Sequence, residues 1–266
     1  MTNQTNNINQ INQINHINNT NHINQTNHTN HINKTAIITG ASRGIGAAIA
    51  KKLASCGYNL SLCCRNSSDK LKALADELHC AYGIEVLCYT GNVGDFFFAK
   101  DMVTNTISHF GHIDVLINNA GISHIGLLSD MTPEEWNNIV AINLTGVFNF
   151  TKLVIPYMVA DKCGRILQIS SVWGNVGASC EVAYSACKGG INAFTKALGK
   201  ELAPSHIPVN AIACGVIDTD MNRCFNETER AEPDPDHPAQ KRPRCPSPSS
   251  PSPSPWPRCE PYFLPR

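Results

Sequence analysis

Neither sign of charge dominates this chain. Its 266 residues carry 21 basic and 21 acidic side chains and a formal net charge of zero. Nucleic acid and anionic membrane surfaces both call for clustered Lys and Arg, so the reading excludes these two partner classes. No run of eighteen or more apolar residues occurs, and the N-terminus lacks the charged-then-apolar order of a secretory signal, which points to a cytoplasmic protein without a membrane span. None of the twelve cysteines forms a C-x-x-C pair, and no Cys/His cluster has zinc-ligand spacing. The thiols therefore read as reduced and mostly buried, with no metal site. Cys63 and Cys64 are adjacent in an apparent strand, so they face opposite sides and cannot both line one site.

What is present falls into three pieces. Residues 2–33 contain only Asn, Gln, His, Thr and Ile, in triplets that open on Thr or Ile and continue with Asn. A period of three drifts around a helix and swaps faces on a strand, so no apolar stripe forms and the segment reads as disordered. Its four His residues read as solvated. At the other end, twelve of the 34 residues from Pro233 to Arg266 are proline, which suits an extended, polyproline-like tail. The expected organisation is a tail at 1–33, a globular domain at 34–225 and a Pro/Ser-rich disordered tail at 226–266.

The middle piece alternates strand and helix signals. Strands are expected at Thr35–Thr39, Tyr58–Cys63, Ile84–Tyr89, Ile113–Ile117, Ile166–Ser170 and Ile207–Ile212. Between them, Ile45, Ile49 and Leu53 recur at helical spacing, and further helices are expected at Ser67–Tyr82, Phe96–Phe110, Pro133–Ala160 and Glu181–Ala203. Pro133 suits a first helical turn, whereas Pro156 is expected to kink or end its helix. Such alternation argues for an α/β fold, a doubly wound parallel sheet with helices on both faces.

Between the first strand and helix stands TGASRGIG, Thr39 to Gly46, with Ser42, Arg43 and Ile45 among its glycines. Gly40 suits a tight turn, Gly44 a backbone approach to pyrophosphate, and Gly46 close packing of the helix. With this G-x-x-x-G-x-G spacing the chain resembles the short-chain dehydrogenases/reductases, a family with the Rossmann-type fold. The resemblance continues through NNAG, where Asn119, Ala120 and Gly121 match the family's cofactor-side motif, and through Asn143, Ser171, Tyr184 and Lys188, which match its catalytic tetrad. Asn92 and Val93 are similar to its Asp-Val pair at the adenine, with Asn replacing Asp. Ile217 and Thr219 fall where the family contacts the nicotinamide end, although Cys214 replaces the usual Pro of the preceding Pro-Gly turn.

Tyr184 and Lys188 are four residues apart and share a helix face, so the ammonium is expected to lower the phenol's pKa and make it a general acid. The resemblance implies that Ser171 binds the substrate carbonyl, that Asn143 holds a water relaying protons to Lys188, and that Tyr184 and Lys188 also touch the cofactor. The second strand ends on Cys64 and Arg65 where an NAD enzyme usually places Asp or Glu. With Arg43 as a second cation, the expected cofactor is NADP, used as NADPH.

The closest resemblance is to 3-oxoacyl-[acyl-carrier-protein] reductases, which implies a small-molecule or carrier-protein-bound carbonyl substrate. Lys162 is a candidate contact for an acidic carrier protein, while Ser205 stands where such reductases often show a second cation. GASCEV, Gly177 to Val182, is instead similar to a bacterial group that reduces a 5-aminopentanone modification on translation elongation factor P. Nothing after about Asn226 resembles the family, whose substrate-covering loop, last helix and seventh strand are expected to be missing. Those elements form part of a homo-oligomer interface in many relatives. A non-catalytic, truncated family member is therefore the competing reading.

Overall fold

A computed structural model of the chain describes residues 33–215 and 217. The expectations for residues 1–32, for Thr219 and for the proline-rich end lie outside the described residues.

Six strands form one sheet: β1 (Thr35–Ile38), β2 (Asn59–Cys64), β3 (Val86–Thr90), β4 (Val115–Asn118), β5 (Arg165–Ser171) and β6 (Val209–Cys214). All neighbours are parallel and the order is β3-β2-β1-β4-β5-β6. The helices are α1 (Gly44–Ala54), α2 (Ser68–Tyr82), α3 (Phe96–Phe110), α4 (Pro133–Val140), α5 (Gly146–Asp161), the single turn α6 (Trp173–Val176) and α7 (Val182–Leu202). The expected strands and helices are all present, with bounds shifted by at most two residues.

Strands covered on both faces read as nearly unbroken apolar runs, and TAII of β1 is buried throughout. Alternate side chains feed two cores. Ile38, Leu60, Leu62 and Cys64 pack with Leu53 of α1 and with Leu71 and Leu78 of α2. Ile37, Cys63 and Leu116 pack with Met102 of α3, Phe150 and Val154 of α5, and Leu198 of α7. The two adjacent cysteines thus belong to opposite layers, as the period of two requires.

The chain winds outward from β1 to β3 and then crosses back to β4. This reversal opens a crevice at the carboxyl ends of β1 and β4, where ligands of such sheets bind.

The helical run from Pro133 to Asp161 is long and apolar enough to cross a bilayer by composition, yet half of that window is buried here. It is a core element, with Phe150, Val154 and Met158 inaccessible. It starts as expected: Pro133 occupies the first turn, and Thr132 and Glu135 form a reciprocal capping box. Pro156 does not end its helix, because α5 continues to Asp161. Pro156 is exposed, so water can solvate the carbonyl its ring leaves without a donor. The irregularity lies upstream, where Ala141–Thr145 form a π turn closed by the Gly146 amide on the Ala141 carbonyl. The extra residue in that turn rotates Asn143 inward, where it is buried.

Candidate active site

The crevice is a cleft of about 620 Å³, and segments following all six strands line it. That volume suits a small ligand or cofactor. After β1, Gly40 (φ +66°) and Gly44 (φ +57°) adopt left-handed backbone that a side chain would strain. A Cβ on Gly46 would come within 2.4 Å of the Gly40 carbonyl oxygen and 2.6 Å of Asn119 Nδ2, so this glycine packs beneath the loop and does not line the cleft. Ser42, Arg43 and Ile45 do line it. Helix α1 begins immediately after Arg43, with no acidic residue in its first turn, so its amide end favours an anion.

Two further loops are fixed from behind. Asn119 Nδ2 donates to the carbonyls of Thr39 (2.9 Å) and Gly40 (3.0 Å), while the amides of Asn119 and Ala120 both donate to Thr39 Oγ1 at 3.0 Å. The β1 and β4 loops are thereby clasped, leaving Ala120 and Gly121 on the cleft wall. After β3, Asn149 Nδ2 donates to the carbonyls of Val93 (3.0 Å) and Gly94 (3.1 Å), pinning that loop to α5. Asn92 lines the cleft, but its Oδ1 accepts the Gly94 amide, so its side chain also serves a local turn. Arg65 lines the wall at the end of β2, and its Nη1 donates to Asn138 Oδ1 at 3.4 Å.

At the other end stand Ser171, Tyr184 and Lys188, three of the four residues expected to form a tetrad. Ser171, the last residue of β5, is 7% exposed, and its Oγ accepts the Trp173 amide at 3.2 Å. Tyr184 and Lys188 project from α7 into the same space. Lys188 is 4% exposed and donates through Nζ to the Ile169 carbonyl at 2.7 Å. Burial pushes its pKa down to about 8, although the nearby Cys214 and Cys187 thiols act the other way. Ser170 secures the helix, donating to the Lys188 carbonyl (3.3 Å) and to Asn192 Oδ1 (2.7 Å).

One sequence expectation needs correction. Burial pushes the Tyr184 phenol up to about 12, against a lowering by the Ser171 hydrogen bond; the carboxylate of Glu181 and the Cys214 thiol raise it further. Lys188 Nζ lies 5.4 Å from the ring centroid and donates to a carbonyl, and desolvation is the largest influence on the phenol in this geometry. The Asn143 side chain is bonded to backbone. Its Oδ1 accepts the Ile122 amide at 2.9 Å and its Nδ2 donates to the Ile122 carbonyl at 2.8 Å. Its side chain is a positioning group for the Gly121–Ile122 wall, and a Cβ on Gly121 would meet Asn143 Oδ1 at 2.8 Å.

Ile217 and Cys214 line the cleft, and burial raises the Cys214 thiol's pKa despite the opposing Lys188 ammonium. Lys162 caps α5 just before β5 begins, at the amino end of that strand. Sequence reasoning gave no role to Thr39, Asn149, Asn192 or Glu181. A buried-type Asn inside the apolar run GVFNFTKLVI was the available signal for Asn149. Among the described residues no His/Cys/Asp/Glu group could hold a metal ion.

A carboxyl-edge cleft with a glycine-lined, cation-bearing end and a Ser-Tyr-Lys end defines an oxidoreductase of the dinucleotide-binding class. The sequence model of the short chain dehydrogenase family matches residues 34–230, and the chain belongs to that family. A 3-oxoacyl-[acyl-carrier-protein] reductase of Staphylococcus epidermidis is 40% identical over 194 residues, covering 73% of this chain and 79% of the relative. An uncharacterized oxidoreductase of Bacillus subtilis, YmfI, is 40% identical over 201 residues, covering 75% and 81%. Among solved structures, an actinorhodin polyketide ketoreductase variant with NADPH superposes with a TM-score of 0.68 at 37% identity, covering 71% of this chain and 72% of the other. A metagenomic short-chain oxidoreductase in complex with NADP gives 0.66 at 35%, covering 69% and 82%.

Proposed function

We propose that the chain is an NADPH-dependent carbonyl reductase of the 3-oxoacyl-[acyl-carrier-protein] reductase type, with its catalytic unit in residues 34–225 and acting in the cytoplasm. The observation that carries this reading is the meeting of Ser171, Tyr184 and Lys188 at one end of a cleft whose other end holds Arg43 and Arg65. The bare backbone at Gly40, Gly44 and Gly121 fits a dinucleotide, as does a second strand that ends on Cys64 and Arg65 with no carboxylate. Arg43 and Arg65 would pair a 2′-phosphate, Asn92 and Val93 would face the adenine, Asn119 to Gly121 the adjoining ribose, and Ile217 the nicotinamide end. When bound, the reduced nicotinamide supplies the hydride.

The chain's own residues handle the proton. A phenol near pKa 12 holds its proton at neutral pH, so Tyr184 enters the reaction as the acid form and donates through Oη to the carbonyl oxygen. Ser171 Oγ donates a hydrogen bond to the same oxygen and polarises the carbonyl. Lys188, held over the Tyr184 ring, stabilises the phenolate left behind, and Asn143 keeps the Gly121–Ile122 wall in place. Support for the substrate class comes from the 40% identity to a 3-oxoacyl-[acyl-carrier-protein] reductase across 79% of its length.

The test is NADPH consumption by the full chain with a 3-oxoacyl thioester at neutral pH, in wild type and Tyr184→Phe. The variant should bind NADPH and lose turnover by about 100-fold or more. Comparable turnover in the two proteins refutes the assignment of Tyr184 as proton donor.

A further inference from the structure

Four charged side chains line the described cleft walls: Arg43, Arg65, Glu181 and Lys188. Arg43 and Arg65 lie toward β2, whereas Glu181 lies with Ser171, Tyr184 and Lys188 at the substrate end. Glu181 is the only carboxylate among the described cleft residues. It immediately precedes α7, at the helix's amide end. Ser123 Oγ donates to its Oε2 at 2.7 Å, fixing the charge between the β4 loop and α7. Its field is felt at the reacting group, since it raises the proton affinity of Tyr184. Lys188, the cation at this end, is buried and donates to the Ile169 carbonyl, so Glu181 faces the cleft with Ser123 as its hydrogen-bond partner. The rest of the substrate end is largely apolar, with Ile122, Ile125, Trp173 and Ile217 on its walls.

We propose that Glu181 is a charge filter for the carbonyl substrate, refusing ketones whose neighbouring group is a carboxylate and admitting those in which that group is neutral or cationic. The inference rests on the carbonyl-reductase reading above and narrows it. A 3-oxo acid is refused as the free anion and accepted once its carboxyl is masked as a thioester or ester, because a second negative charge beside Glu181 in a partly desolvated cleft is repelled. The reaction that supplies the substrate must therefore deliver the 3-oxoacyl group already esterified, as an acyl-transfer or condensation step does, and not as a hydrolysed acid.

The experiment compares acetoacetate, its methyl ester and its choline ester as substrates of the full chain with NADPH, in wild type, Glu181→Gln and Glu181→Lys. The measured quantity is the ratio of kcat/KM values within each protein, which cancels any general loss of activity. The acid-to-methyl-ester ratio should rise about tenfold in Glu181→Gln and further in Glu181→Lys, while the choline-to-methyl-ester ratio falls in the same order. Ratios that stay the same across the three proteins overturn the proposal. If no compound is reduced by any protein, the carbonyl-reductase reading fails separately. Titration of the three compounds into protein saturated with NADP then decides the filter: acetoacetate must bind Glu181→Lys more tightly than wild type, and equal affinity overturns it.

Discussion

Lys188 shows how a single residue can serve the site at the fold's expense. Its pKa near 8 lies below the value of about 10.4 expected in the unfolded chain, so between these pH values the unfolded state holds more protons. Stability therefore rises with pH across that window as far as this group is concerned, and the cost of burying the ammonium is fully present below it. Lys188→Met should unfold at a higher temperature than wild type at pH 7, by about 1 kcal/mol or more, while losing reductase activity. The gap should narrow as the pH approaches 10, and a gap that is constant with pH would show that burial of charge is not its source. Arg65 works at the opposite end. Arg65→Asp should weaken NADPH binding by about 100-fold with a much smaller effect on NADH, read by fluorescence titration of both. Equal losses would remove Arg65 from the 2′-phosphate. The family resemblance pointed to Asn143, Ser171, Tyr184 and Lys188 from the sequence, and the fold brings the last three to one end of the cleft. The direction of the Tyr184 shift was not legible, because it depends on burial and on where the Lys188 ammonium points, and neither follows from a spacing of four.

At the level of elements, strands and helices were readable because apolar residues at periods of two and 3.6 mark them directly. The π turn was not, since AINLT carries no proline, glycine pair or break in periodicity that would announce a fifth residue in the turn. The same helical run escaped notice as a support for the cofactor end. Through Asn149 it pins the β3 loop, and Gly94 and Gly146 are the points of closest approach, where a Cβ would come within 2.8 Å of the Ala141 carbonyl and the Val93 side chain respectively. Asn149→Leu removes both donors and leaves two carbonyls without them. It should destabilise the domain by about 1–3 kcal/mol and raise the Kd for NADPH, as measured by denaturant titration and by binding at a temperature where the variant is folded. An unchanged Kd in the folded variant would show that the loop holds its shape without this anchor.

Across the whole molecule, the doubly wound order and the crevice followed from the alternation of elements, whereas the place of Glu181 on the cleft wall could not be seen before the strand ends were brought together. The chemical end of that cleft hangs on three consecutive residues of β5: Ile169 accepts from Lys188, Ser170 holds the Lys188 carbonyl and Asn192, and Ser171 faces the substrate space. β5 is paired on both sides, with β4 and with β6. The spacing between hydroxyl, phenol and ammonium is thus gauged by the rigid repeat of a strand against one helix, like marks on a ruler, and not by any loop that could soften early. With cofactor saturating, loss of activity on heating should follow the loss of circular-dichroism signal within a degree or two, and an activity curve falling well before it would contradict this. A catalyst calibrated in this way has no partly tuned state: it keeps its full setting until the sheet itself comes apart.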